Sequence, residues 1–72
     1  MDKEVLLKQL GERIRTIRKA KGITQTELAH KLDKDQPSVN RLETGKINAS
    51  YYYLSQIAKG LGVTLEEMFK ED

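Results

Sequence analysis

The sequence predicts an all-α fold of five short helices. Three observations carry the prediction. Apolar residues recur at steps of three and four, hydroxyl or carboxylate side chains stand at capping positions ahead of these runs, and Gly22, Gly45 and Gly62 fall just past their ends.

The first helix spans residues 3 to 21, where Leu6, Leu10, Ile14 and Ile17 form one stripe, and Gly22 ends it. Gly11 inside it costs about 1 kcal/mol against alanine, and close approach of another backbone is one reason to keep it. Arg13, Arg15, Lys19 and Lys21 lie off the stripe and read as a wet face with no site role, whereas Arg18 adjoins the stripe. Thr24 with Glu27 has the spacing of a capping box, so a second helix opens at Gln25 and turns Leu28, Ala29 and Leu32 inward. Asp33-Lys34-Asp35 breaks that period. Asp35 caps a third helix, and Pro37 sits in its first turn, where a missing N–H costs little. Val39 and Leu42 face inward from this helix, and Gly45, just past Thr44, can take the left-handed conformation that ends helices.

After the connection Lys46 to Ala49, Ser50 caps a fourth helix that runs to about Leu61, with Leu54, Ile57, Ala58 and Leu61 inward. Tyr51, Tyr52 and Tyr53 cover half a turn or more, so the three rings cannot all be buried. Tyr51 and Tyr53 are expected to pack and Tyr52 to border DNA or a partner chain. Stacking on single-stranded nucleic acid needs rings spaced along a groove, usually on strands, and three consecutive helical rings do not supply that. Gly62 ends the fourth helix, and Thr64 with Glu67 opens a short fifth one. Leu65, Met68 and Phe69 make the fifth helix apolar on more than one side, and whatever the core leaves uncovered would be a self-association patch.

Seventy-two residues make one small domain, 1–72, near the lower size at which a single core is stable without staples. No linker, low-complexity segment or internal repeat divides it. With no cysteine there is no disulfide framework or thiolate metal site, and one histidine cannot build a metal cluster. No apolar run approaches the roughly 18 residues of a membrane span, and the charged start MDKE is unlike a signal peptide. A soluble, cytoplasmic protein with no membrane partner and no cofactor is expected. Catalysis is not: His30 faces outward with no acid-base partner fixed near it, and no phosphate loop or nucleophile elbow is present.

The net charge of +2 is too small to imply nucleic acid, but residues 1–48 hold 11 of the 13 basic and 7 of the 11 acidic side chains, a local balance of +4. Such asymmetry suits a phosphate-binding face, with the acidic tail Lys70-Glu71-Asp72 away from it. A solvated charged surface accounts for the same count. The outward residues of the third helix say more. Gln36 can donate and accept at once, matching the N6 and N7 edge of adenine, and Arg41 can bridge O6 and N7 of guanine. Ser38 allows close approach, and Pro37 can offer only apolar contact, as to a thymine methyl.

Three stretches together resemble the phage repressor and Cro-like, XRE-type helix-turn-helix family: IRKAKGITQTELA (17 to 29), QPSVNRLETGK (36 to 46) and LSQIAKGLGVTLEEMF (54 to 69). The resemblance covers nearly the whole chain and implies a five-helix lambda-repressor-like DNA-binding domain whose second and third helices form the motif. It implies base reading by Gln36, Pro37, Ser38 and Arg41, with Asn40 at the margin. Gln25 would contact a phosphate and brace Gln36. Lys46 and Asn48, in the loop the family lays along the DNA backbone, would be further phosphate contacts, with Lys34 on the turn another candidate. Arg18 would pair with Glu43 and lock the first helix to the third.

The chain departs from the family pattern in the turn, where Asp33 replaces the usual glycine and Lys34 the following apolar residue. Aspartate tolerates the left-handed conformation better than most residues, and a lysine stem can cover apolar surface. Members pair as two-fold dimers on near-palindromic double-stranded DNA, so a homodimer is expected through Leu65, Met68 and Phe69 of the fifth helix. With no ligand-sensing domain, regulation would follow concentration and dimerisation without a small-molecule ligand, as in stand-alone repressors and restriction-modification controllers. The alternative is an antitoxin-like module that binds a partner protein and controls its own operon. The short stretch after Phe69 disfavours it, because antitoxins commonly carry a further segment that wraps the toxin.

Overall fold

The computed structural model describes residues 2–70, so Glu71 and Asp72 of the expected acidic tail lie outside the described residues. Among the described residues five α-helices follow one another: α1 (Lys3–Ala20), α2 (Gln25–Lys31), α3 (Gln36–Glu43), α4 (Tyr51–Leu61) and α5 (Leu65–Phe69). Each opens on a side chain that accepts a hydrogen bond from an otherwise unpaired backbone N–H of its first turn. Asp2 does this for α1, Asp35 for α3 and Ser50 for α4. Thr24 and Glu27 form a complete reciprocal box at α2, as Thr64 and Glu67 do at α5. The turn between α2 and α3 survives its missing glycine because Asp33 takes the left-handed conformation itself, at φ 56°.

Eleven apolar residues from all five helices close one core, in which Ile14, Leu28, Val39, Leu42, Ile57, Leu61 and Met68 are essentially inaccessible. Burying each of these side chains fully contributes roughly 1.5–3 kcal/mol. Helix α1 packs on α3 and α5, α2 on α3 and α4, and α4 on α5. Gly11 sits at the closest approach of α1 to α3. A Cβ there would stand 2.5 Å from the Glu43 carbonyl oxygen and 2.6 Å from that of Leu42. The close approach that would explain this glycine is therefore to the end of α3, and it sets how α3 is carried.

Three expectations about the periphery need correction. Met68 is 0% exposed, because the five-residue α5 turns it into the core, so it is not available to a partner chain. Tyr51 is 74% exposed rather than packed, since it opens α4 on a side that no neighbouring element covers; Tyr52 is equally open, and of the three only Tyr53 packs against the core. Arg13 is not simply a wet-face charge. Its Nε donates to the Met68 carbonyl at 3.1 Å and its Nη2 to the Glu67 carbonyl at 3.2 Å, which satisfies the C-terminal end of α5.

Among the described residues no helix is long and apolar enough to cross a membrane, and no group of histidine and carboxylate side chains could hold a metal ion.

Candidate nucleic-acid interface

Helix α3 divides its residues sharply. Val39, Leu42 and Glu43 are buried, Ser38 is half-buried, and Gln36, Pro37, Asn40 and Arg41 are exposed. The pattern follows from one turn of helix per 3.6 residues: Val39 and Leu42 anchor one side and leave the other to solvent.

A chain of hydrogen bonds holds that helix to the rest of the molecule. Arg18 reaches from α1 and grips Glu43 with two parallel bonds, Nε to Oε2 at 2.6 Å and Nη2 to Oε1 at 3.0 Å. Its remaining Nη1 donates to the Ile23 carbonyl at 2.8 Å. The pair is buried, with Arg18 7% and Glu43 5% exposed. Gln25, the first residue of α2, donates from Nε2 to Glu43 Oε1 at 3.0 Å and to Asn40 Oδ1 at 3.4 Å. Gln36 then donates from Nε2 to Gln25 Oε1 at 2.5 Å.

Donor and acceptor types fix the sense of this chain. A carboxylate only accepts, so Gln25 must turn its NH2 towards Glu43 and its carbonyl towards Gln36, which in turn must donate. Gln36 is left with one free N–H and a free carbonyl oxygen. Among the described residues no buried side-chain nitrogen or oxygen lacks a partner.

The start of α3 is fixed in a similar way. Asp35 Oδ1 accepts from the Ser38 N–H at 2.9 Å and from the Ser38 hydroxyl at 2.6 Å, and Arg41 Nη2 donates to the same hydroxyl oxygen at 3.3 Å. The Ser38 hydroxyl, then its backbone N–H, holds the Asp35 carboxyl below its ordinary range.

The loop after α3 alternates. Ile47 and Ala49 pack against the core, while Lys46 and Asn48 point outward. Lys34 lies with its Nζ 5.7 Å from the centre of the Tyr53 ring, so the lysine on the turn rests on an aromatic face. Burial of the Tyr53 ring raises its phenol above the ordinary range.

The exposed residues of α3, Gln25 and the outward loop residues thus stand on elements tied to one another. Arg15, which the sequence places on a wet face with no site role, lines a polar cleft with Arg18, Thr24, Gln25, Thr26, Gln36, Asn40, Glu43 and Thr44. The available signal was its spacing, one helical turn before Arg18. Leu65 is half-buried on the core, and Phe69, 50% exposed, lines an apolar groove with Leu6 and Leu10 of α1.

The helix-turn-helix family model HTH_3 matches residues 14–68. Control protein C.MunI from Mycoplasma sp. is 34% identical over 64 residues, which cover 88% of this chain and 86% of that protein. Among solved structures, the restriction-modification controller protein C.AhdI from Aeromonas hydrophila superposes with a TM-score of 0.88 at 32% identity, covering 96% of this chain and all of the other. The clp gene regulator ClgR from Corynebacterium glutamicum gives 0.84 at 28% identity over 88% of this chain and 82% of its own. The chain belongs to the XRE-type helix-turn-helix family of DNA-binding transcription regulators, and its relatives are regulators rather than enzymes.

Proposed function

We propose that this protein is a sequence-specific transcription regulator, cytoplasmic and built as one domain over 1–72, that binds double-stranded DNA as a homodimer with α3 in the major groove. The observation that carries the reading is the division of α3. Its outer face offers hydrogen-bonding groups suited to base edges, while its inner face is clamped by the Arg18–Glu43–Gln25 chain. A helix held in this way loses little freedom on docking, which favours affinity.

Gln36 retains one N–H and one carbonyl oxygen, the two groups adenine N7 and N6 require, and Arg41 fits O6 and N7 of guanine. Ser38 keeps the approach close, Pro37 touches a thymine methyl, and Asn40 works at the margin. Gln25 contacts a phosphate through its backbone N–H at the start of α2, since its side-chain amide is engaged by Glu43, Asn40 and Gln36. Lys46 and Asn48 contact phosphates as well, with Lys34 a lesser contributor because Tyr53 already engages it. Two copies pair through Phe69 and the flank of Leu65, with Leu6 beside them, and Met68 supports the patch from the core beneath. The similarity to C.MunI and C.AhdI favours a controller role beside a restriction-modification system.

Selection from a randomised duplex pool, at one stated salt concentration, tests this reading. The expected outcome is an inverted repeat with half-site centres about 34 Å apart. Enrichment of no motif, or sedimentation as a monomer at high micromolar concentration with undiminished DNA affinity, would contradict it.

A further inference from the structure

We propose that Arg15 is an additional phosphate contact for duplex DNA, supplied by α1 rather than by the helix-turn-helix; this rests on the DNA-binding reading above. Arg15 is exposed and borders the same polar cleft as Gln25, Gln36 and Asn40. Three charged side chains line that cleft: Arg15, Arg18 and Glu43. Arg18 spends its guanidinium on Glu43 and on the Ile23 carbonyl, so those two charges cancel in place. Arg15 has no side-chain hydrogen bond or ion pair among the described residues, and the cleft's surplus positive charge is its own.

The neighbouring cations of α1 are placed differently. Arg13 is committed to the end of α5 through the Glu67 and Met68 carbonyls. Lys19 and Lys21 do not line the cleft. Arg15 shares its cleft with Gln36 and Asn40, so a duplex whose major groove takes those two side chains would bring its bordering phosphates towards Arg15. A guanidinium presents a planar fork of donors that matches phosphate oxygens, so one arginine there can hold a phosphodiester with two bonds.

The experiment measures affinity over a salt series for the full chain, its Arg15→Ala and Arg15→Lys variants, and Lys3→Ala as a charge-matched control at the far end of α1. Two duplexes serve, one enriched by the wild type and one of unrelated sequence. Each phosphate contact contributes about 0.9 to the slope of log K against log salt. Arg15→Ala is expected to flatten that slope by about one contact. It should weaken both duplexes by a similar factor, leaving the preference between them and the thermal midpoint unchanged, while Arg15→Lys keeps most of the slope.

An Arg15→Ala slope equal to that of the wild type, or a change no larger than that of Lys3→Ala, would overturn the assignment while leaving DNA binding in place. Altered preference at one base pair would overturn it too, by making Arg15 a base reader. A wild type that binds neither duplex would instead remove the DNA-binding reading itself.

Discussion

At Glu43 both carboxylate oxygens are engaged, Oε2 by Arg18 Nε and Oε1 by Arg18 Nη2 and Gln25 Nε2, and almost no water reaches them. Removing Arg18 would leave a buried carboxylate without its counter-charge, which costs about 3–5 kcal/mol. Arg18→Ala is therefore expected to lower the urea midpoint by a corresponding amount. Arg18→Lys should recover only part of it, because an ammonium cannot make two parallel bonds and reach the Ile23 carbonyl as well. Stability unchanged within error would remove this account of how α3 is fixed. Both partners were legible in the sequence, Arg18 from its place beside the apolar stripe and the pairing from family resemblance. Met68 and Tyr51 were misread for a different reason. A five-residue helix makes fewer than two turns, too few for periodicity to show which of the adjacent Met68 and Phe69 is turned into the core. Tyr51 shares a face with Leu54 and Ala58, but periodicity gives a direction and not the extent of what lies there.

At the level of elements, the caps made the helix boundaries readable. Each opening signal is local, within three residues of its helix, and needs no knowledge of the fold. Glu27, Asp35 and Glu67 all have carboxyl groups held below their ordinary values of 4.5, 3.8 and 4.5 by the hydrogen bonds of these caps. The bonds come from the Thr24 backbone and hydroxyl at Glu27, the Ser38 hydroxyl and backbone at Asp35, and the Thr64 backbone and hydroxyl at Glu67. A lowered folded-state pKa means a contribution that is complete above the ordinary value and lost as pH falls through the lowered one. The thermal midpoint is therefore expected to hold from neutrality to about pH 5 and to fall below pH 4, and a midpoint flat down to pH 2 would contradict it. Gly11 gives a second expectation. Alanine would gain about 1 kcal/mol in helix propensity. Its Cβ would meet backbone oxygens that cannot move without shifting α3, and overpacking of this kind costs typically 1–3 kcal/mol. Chemical denaturation of Gly11→Ala should show a net loss of stability, and a gain would mean that α1 and α3 separate freely.

For the whole molecule, the residues proposed to meet DNA and those proposed to meet a second copy stand apart. Arg15 midway along α1, together with α2, α3 and the turn and loop beside α3, carries the first set, and α5 with the start of α1 carries the second. The fold class and all five helices were legible from local signals, an apolar stripe in α1 to α4 and a capping residue ahead of α2 to α5. The arrangement of side chains between helices was not: Arg13 on the end of α5, Lys34 on the Tyr53 ring and Arg15 in the polar cleft each depend on residues distant in sequence. The central claim is that α3 of two copies enters the major groove at two half-sites. Methylation protection at guanine N7 tests it most directly, because that atom lies in the major groove where Arg41 would bind. Two protected groups are expected, centred about 10 base pairs apart, and Arg41→Ala should release one guanine in each while weakening binding by about 1–3 kcal/mol. Guanines that stay accessible in the bound duplex, or protection confined to a single group, would contradict it.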